Sequence, residues 1–379
     1  MKIKRFLNLT TLQKKLIELG LNQSNIADKL SVSRETVSKW FKGVNQPSPG
    51  KLLKLSKILK LKFDDILTIE YVDRPLAVFR KNRNAKTTEK DMDYAVDLGN
   101  AIESLIPYIQ LDTSTKPSVL LHPYNDYEYI NEVVERLRKD FTFNKEILEV
   151  KDIITIFHEY HSIIIPVLWG ENKRHVNALR IYLPESMTTW VYINLNTNIY
   201  DFKFWLTHEL GHVLAVDLSG KQAECFADSF AGGLLFPQKL TEDLYDKLTK
   251  EKSWRLQIDI IINKAKQLYI SPLTIYLQIK AYTEHYRKSP IELQQYIFKF
   301  DSKFKSYFPT VAEKVIGSDH PKAEDYINAV SAKFKSPFFA YLRQYIEAKS
   351  PSASFIQNLL DVPMLDAQNI HYALTHTRE

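Results

Sequence analysis

The residues best suited to chemistry lie between positions 204 and 228. His208, Glu209 and His212 follow the spacing His-Glu-x-x-His. On a helix, histidines four positions apart stand one turn apart on one face, so both imidazoles can reach a single ion, and Zn²⁺ suits such ligands. Glu209, one position further round, is placed to activate water at the metal rather than to ligate it. Twelve residues after His212 comes Glu224, on what reads as a second helix. The small Ala227 three positions later lets that helix approach the first closely, so that Glu224 completes a His₂Glu set with water in the fourth position. Asp228, one turn past Glu224, has two readings: a partner for one of the ligating imidazoles, or a solvated helix charge. Gly211 costs about 1 kcal/mol relative to Ala in a helix interior, so its presence predicts close packing there. Phe204, Trp205 and Leu206 supply an apolar wall.

These residues need a frame. Positions 202–218 and 222–235 read as the two helices, with Pro237 after the second. Ahead of them, 162–168 and 189–195 are rich in Ile, Val, Tyr and Trp and read as strands. The second is the expected edge along which an extended substrate would lie by β-augmentation. From about 240 onward the pattern is helical, interrupted near Pro290, Pro309, Pro321, Pro337, Pro351 and Pro363. Two other groups are set aside. His158 and His161 are three apart directly before a strand, which is poor metal geometry, and Cys225 diverges from Glu224 by about 100° on a helix. For an oxyanion-stabilising group, His175, Arg180, Tyr192 and Tyr200 all remain open.

Residues 192–237 resemble the ImmA/IrrE family of zinc metallopeptidases. The likeness is carried by Tyr192-Ile193-Asn194, by Phe204 through His212, and by Glu224-x-x-Ala227-Asp228-x-Phe230-Ala231-x-x-Leu234-Leu235-Phe236-Pro237. Asp228 and Phe236 stand where the family has Asn and Met. A following helical pair, Ala265 through Leu277, extends the match over roughly residues 90–285. The resemblance implies a zincin-like domain with a small β-sheet, a Zn²⁺ held by His208, His212 and Glu224, Glu209 as the catalytic base, and cleavage of a nearby-encoded repressor or antitoxin-like protein in a stress or phage-defence response. The alternative is a transcriptional regulator whose zinc is structural or sensory and which cuts nothing.

The N-terminal 70 residues read as a string of five short helices. Within them, 21–43 resemble a Cro/C1-type (XRE) helix-turn-helix, with Ile26, Leu30, Val32, Val37 and Trp40 as the buried set. Ser33 is the natural N-cap of the second helix. Arg34, Glu35, Ser38 and Lys39 then project where base edges and phosphates would lie, and Gln23 suits a phosphate contact. Charge agrees with this division. Residues 1–70 carry 14 Lys/Arg against 6 Asp/Glu, while the rest carry 37 against 39, so the polyanion partner belongs to the first segment alone.

The chain is therefore expected to be α+β and mostly helical. Its expected parts are a DNA-binding domain over 1–70, a linker over 71–90, a metallopeptidase domain over 91–285 and a helical region over 286–379. In the last, Phe334, Phe338, Phe339, Tyr341 and Tyr345 mark a packed subdomain or homodimer interface, or else a sensor that gates the site. A lone cysteine among 379 residues excludes an intramolecular disulfide and a cysteine-based zinc site. No run approaches 18 apolar residues, so no membrane helix is expected, and the cytoplasm is the expected compartment.

Overall fold

The computed structural model describes residues 3–41, 45, 47–61, 66–71, 76–79, 89–109, 119–141, 147–170, 178–183 and 185–376. The chain divides into two compact units, residues 1–73 and 74–379.

In the first unit, four described helices, α1 (Leu9–Glu18), α2 (Gln23–Leu30), α3 (Arg34–Phe41) and α4 (Pro49–Leu59), surround a separate core. Leu12, Ile26, Leu30, Val37, Leu55 and Leu59 are almost wholly buried in it. Local chemistry sets the boundaries. Asn22 and Asn25 exchange backbone and side-chain hydrogen bonds in a capping box that opens α2, and Ser31 closes that helix in the left-handed region (φ 50°). Ser33 Oγ accepts from Thr36 N at 3.1 Å, so it is the expected N-cap of α3. One element was not foreseen: β1 (Ile3–Leu7) pairs antiparallel with β2 (Leu67–Tyr71), tying the start of the unit to its end. Of the expected fifth helix over 64–67, residues 64 and 65 lie outside the described residues, Ile66 is helical and Leu67 begins a strand instead.

The second unit is built on a four-stranded mixed sheet in the order β3 (Leu76–Phe79), β5 (Ala178–Leu183), β6 (Thr188–Asn194), β4 (Ser162–Val167). Two expectations change here. The segment taken as linker contributes an edge strand, β3, antiparallel to β5. The strand expected to lie at an edge, β6, is internal, antiparallel to β5 and parallel to β4, and every residue in it is buried. Its unbroken apolar run is what a strand buried on both faces requires.

The opposite edge is closed by the C-terminal helices. Leu195 N donates to Val167 O, so by alternation Ile164 and Pro166 turn their carbonyls outward. Ser336 Oγ donates to Ile164 O and Tyr326 OH to Pro166 O, both at 2.5 Å. Tyr192 OH and Trp169 Nε1 donate to Leu359 O and Leu360 O. Pro166, with no N–H to offer, sits on the side where no strand partner is needed.

The helices flanking the sheet include α5 (Glu89–Glu103), α6 (Tyr127–Asp140), α7 (Val150–Glu159), α8 (Ile199–Leu214), α9 (Gly220–Leu235), α10 (Gln238–Lys250), α11 (Trp254–Leu268) and α12 (Pro272–His285). They share one apolar core with the sheet and with the helices beyond residue 290. Among the described residues no helix is long and apolar enough to cross a membrane.

Candidate metal centre and nucleic-acid interface

Helix α8 carries the His-Glu-x-x-His segment and is gripped at both ends. Asn198 caps it: Oδ1 accepts from Tyr200 N, while Nδ2 donates to Lys305 O and Phe308 O. The segment after Lys305 runs beside the residues that lead into α8, with Ile199 N donating to Pro309 O, Val311 N to Thr197 O and Ala312 N to Leu195 O. Lys305 Nζ also pairs with Asp201 at 2.9 Å. One turn into the helix, the buried Lys203 Nζ donates to Leu148 O and Leu268 O. At the far end, Arg180 Nη1 on β5 donates to His212 O at 2.6 Å.

Glycine 211 brings α9 to this helix. A Cβ there would lie 3.0 Å from Ala227 Cα, 3.1 Å from Phe230 Cδ1 and 3.3 Å from Ala227 Cβ. Only glycine opposite a small residue allows that approach, and the contact lies one turn past Glu224 on the facing helix. Phe226 and Phe230, both fully buried, fasten α9 in place; each contributes about 1.5–3 kcal/mol through burial.

The result is a cluster of His208, His212 and Glu224 whose ligand atoms all lie within 4.8 Å of one another. The two Nε2 atoms are 3.0 Å apart, Glu224 Oε1 is 3.3 Å from His212 Nε2, and Oε2 is 3.6 Å from His208 Nε2. Ligands of a tetrahedral ion with bonds of about 2.0–2.1 Å stand about 3.3 Å from each other, so the spacing suits one small cation. Asp228 Oδ1 lies 2.9 Å from His208 Nδ1. A proton on Nδ1 facing that carboxylate would leave His208 Nε2 as a lone pair for the centre. Of the two readings of Asp228, the imidazole partner is therefore the one that the geometry matches.

Electrostatics points the same way. Burial and the charge of Arg180 push His212 toward its neutral form, opposed by its hydrogen bond to Glu224. Burial alone would raise the Glu224 carboxyl, but the two imidazoles hold it well below the usual carboxylate range. Glu209 is only 4% exposed, and among the described residues no hydrogen bond or ion pair engages its carboxylate. The side chains of Glu224 and Asp228 are 40% and 43% exposed while His208 is sealed, so the centre opens along α9. Trp205 and Phe204 stand 5.9 and 6.3 Å from the His208 ring, forming the expected apolar wall.

Of the four groups left open as oxyanion stabilisers, three are described. Tyr192 is buried with its hydroxyl committed to Leu359 O. Tyr200 packs against Tyr269, Phe304 and Phe308 at the opposite end of α8. His175 lies outside the described residues. Of the three described groups, Arg180 is the one that touches the turn carrying His212. The strand that carries it, β5, was missed, although Ala178-Leu179-Arg180-Ile181-Tyr182-Leu183 alternates apolar and polar positions as a strand does. The two set-aside histidines are not in the cluster: His158 Nε2 and His161 Nδ1 are enclosed and have no hydrogen-bond partner among the described residues. Cys225 is a free, half-buried thiol.

In the first unit, α2 and α3 make the helix-turn-helix pair around Ile26, Ala27, Leu30, Val37 and Trp40, with Val32 partly exposed. Lys51 Nζ donates to Leu30 O and ties α4 to the end of α2. Ser33, Arg34, Glu35 and Lys39 are exposed on or beside α3, while Gln23 and Ser38 are partly so. Glu35 and Lys39 pair at 2.8 Å, which leaves Arg34 as the free cation on the described part of that surface. A family model described as Helix-turn-helix matches residues 12–66. No curated protein and no solved structure matches the chain. The N-terminal unit is therefore a helix-turn-helix domain of DNA-binding, transcription-regulator type, and it precedes a unit with a buried site able to hold a metal ion.

Proposed function

We propose that this chain is a zinc-dependent endopeptidase tethered to DNA, and that it cuts a partner repressor or antitoxin-like protein to switch on a stress or phage-defence response. The observation that carries the reading is the pairing of a His₂Glu cluster with a neighbouring carboxylate, Glu209, that no described residue engages. A purely structural site needs its ligands and gains nothing from a buried acid beside them that no described residue engages, since burying a polar group without partners is costly.

His208, His212 and Glu224 would hold the ion, with Asp228 orienting the first of them. A Zn²⁺ bound there polarises a carbonyl and makes water more acidic. The chain's own part is proton movement and alignment. Glu209 takes a proton from the attacking water and later delivers it to the leaving amine nitrogen. Trp205 and Phe204 keep bulk water from one side of the site. With β6 internal and β4 covered, β3 is, among the described residues, the sheet edge left for an extended substrate, adjacent to the strand that carries Arg180. The basic helix-turn-helix fits a protein that finds its substrate on an operator and makes one regulatory cut rather than general digestion.

Purified full-length protein, loaded with Zn²⁺, is to be incubated with the repressor-like product encoded beside it, together with E209Q. The expected result is one discrete cleavage by the native chain, none by E209Q, and equal zinc content and DNA binding in both. Should the native chain cut nothing while E209Q supports normal regulation in cells, the zinc is structural or sensory.

A further inference from the structure

We propose that Arg180 is a further catalytic residue of this site, the group whose guanidinium takes up the negative charge that develops on the carbonyl oxygen of the bond being cut. The inference rests on the peptidase reading above and adds to it the group that the cluster itself lacks.

Among the described residues Arg180 has no ion-pair partner. Its one hydrogen bond among the described residues is from Nη1 to the main-chain oxygen of His212, and no described carboxylate lies within 4 Å of it. A guanidinium offers five N–H donors, so most of the fork is uncommitted among the described residues. Burial weakens its basicity, while the charges of Glu209 and Glu224 oppose that effect; it also acts on the His212 ring. No described carboxylate neutralises it at contact distance, and its hydrogen bond to His212 O fixes it beside the turn that carries that imidazole. Arg180 is partly buried, and holding a cation there without a described counter-charge at contact distance is unfavourable unless something is gained from it. A fixed donor beside the place where negative charge appears is worth far more in an enclosed site than in water, because it need not reorganise during the reaction.

The sequence alternation of β5 explains its position. Leu179, Ile181 and Leu183 are buried on one face, which turns Ala178, Arg180 and Tyr182 to the other. One N–H holds the last turn of α8 through His212 O, so the side chain is anchored where the metal-bearing turn ends. In the step proposed, the water oxygen bonds to the carbonyl carbon and its proton passes to Glu209. The carbonyl π pair moves onto oxygen, and the free N–H groups of Arg180 donate to that oxygen. When the C–N bond breaks, the pair returns to re-form the carbonyl, and the departing nitrogen takes the proton from Glu209.

The test compares full-length native protein with R180M and R180K, each loaded with Co²⁺. The visible spectrum reports the ligand set, a titration with inorganic phosphate reports the affinity for an oxyanion, and cleavage of the repressor substrate gives kcat and KM. For R180M the expected results are one Co²⁺ with a native spectrum, phosphate affinity reduced about tenfold or more, and kcat reduced about a hundredfold with KM within threefold of native. R180K, which keeps a charge, falls between the two, and it decides the matter alone should R180M not fold. Native phosphate affinity and native kcat in either variant overturn the proposal. So does a loss of activity that merely tracks a lost or altered Co²⁺ spectrum, since Arg180 would then only prop His212. Native protein that cleaves nothing overturns the peptidase reading and this role with it, whereas native cleavage matched by R180M overturns the role alone.

Discussion

Replacing Gly211 with alanine tests the packing that assembles the metal site. In an unconstrained helix interior this change would stabilise the protein by about 1 kcal/mol. Here the new methyl carbon meets Ala227 Cα at 3.0 Å, Phe230 Cδ1 at 3.1 Å and Ala227 Cβ at 3.3 Å. Carbon atoms prefer about 3.5–4.0 Å, so α9 must back away by roughly 0.5–1 Å. Overpacking of that kind costs typically 1–3 kcal/mol, which leaves a net loss of about 0–2 kcal/mol once helix propensity is credited. The effect on the metal is larger than the effect on the fold. Glu224 rides on α9, 3.3 and 3.6 Å from the two Nε2 atoms, and ligand positions tolerate only about 0.2 Å. Zinc affinity, read by competition with a chromophoric chelator, is expected to fall at least about tenfold while Tm drops by a few degrees. G211A/A227G, which removes one of the three contacts, should recover part of the affinity. A G211A protein with higher Tm and native zinc affinity refutes the reasoning, because it would mean that the two helices do not set the ligand distances.

Two further outcomes follow from the same geometry. Asp228→Asn keeps an acceptor for His208 Nδ1 and is expected to hold zinc within a few-fold of native, whereas Asp228→Leu should lose about 10–100-fold, both measured by the same competition. Burial pushes Lys203 down to about 8, opposed by Glu149 and Asp152. Below that pH both folded and unfolded chains hold the proton; between about 8 and 10.4 only the unfolded chain does, so stability must rise with pH across that window. The rise is at most roughly 3 kcal/mol, seen as an increase in the urea midpoint of the metal-free protein from pH 7.5 to 10. A K203M protein should show a flatter profile; an equal slope in both would exclude Lys203 as its source.

Much of the site was written into local spacing. His208 and His212 share a helix face because 3.6 residues make a turn, and Gly211 and Ala227 announced a close approach by being small where a helix would prefer otherwise. Ser33 and the apolar set around Trp40 marked the helix-turn-helix for similar reasons: capping and amphipathic periodicity are properties of a few neighbouring residues. What spacing could not reveal was who meets whom across the fold. Residue 189–195 reads as a strand either way, but whether it lies at an edge depends on β5, and β5 on a partner, β3, a hundred residues earlier in the chain. The closure of β4 by Ser336 and Tyr326, and the hold of the chain after Lys305 on Asn198, join residues more than a hundred positions apart. The metal cluster was local in sequence and so legible there. Arg180 reaches the His212 carbonyl from another layer, a contact that no spacing in the sequence announces and that exists only because the tertiary structure brings strand and helix together.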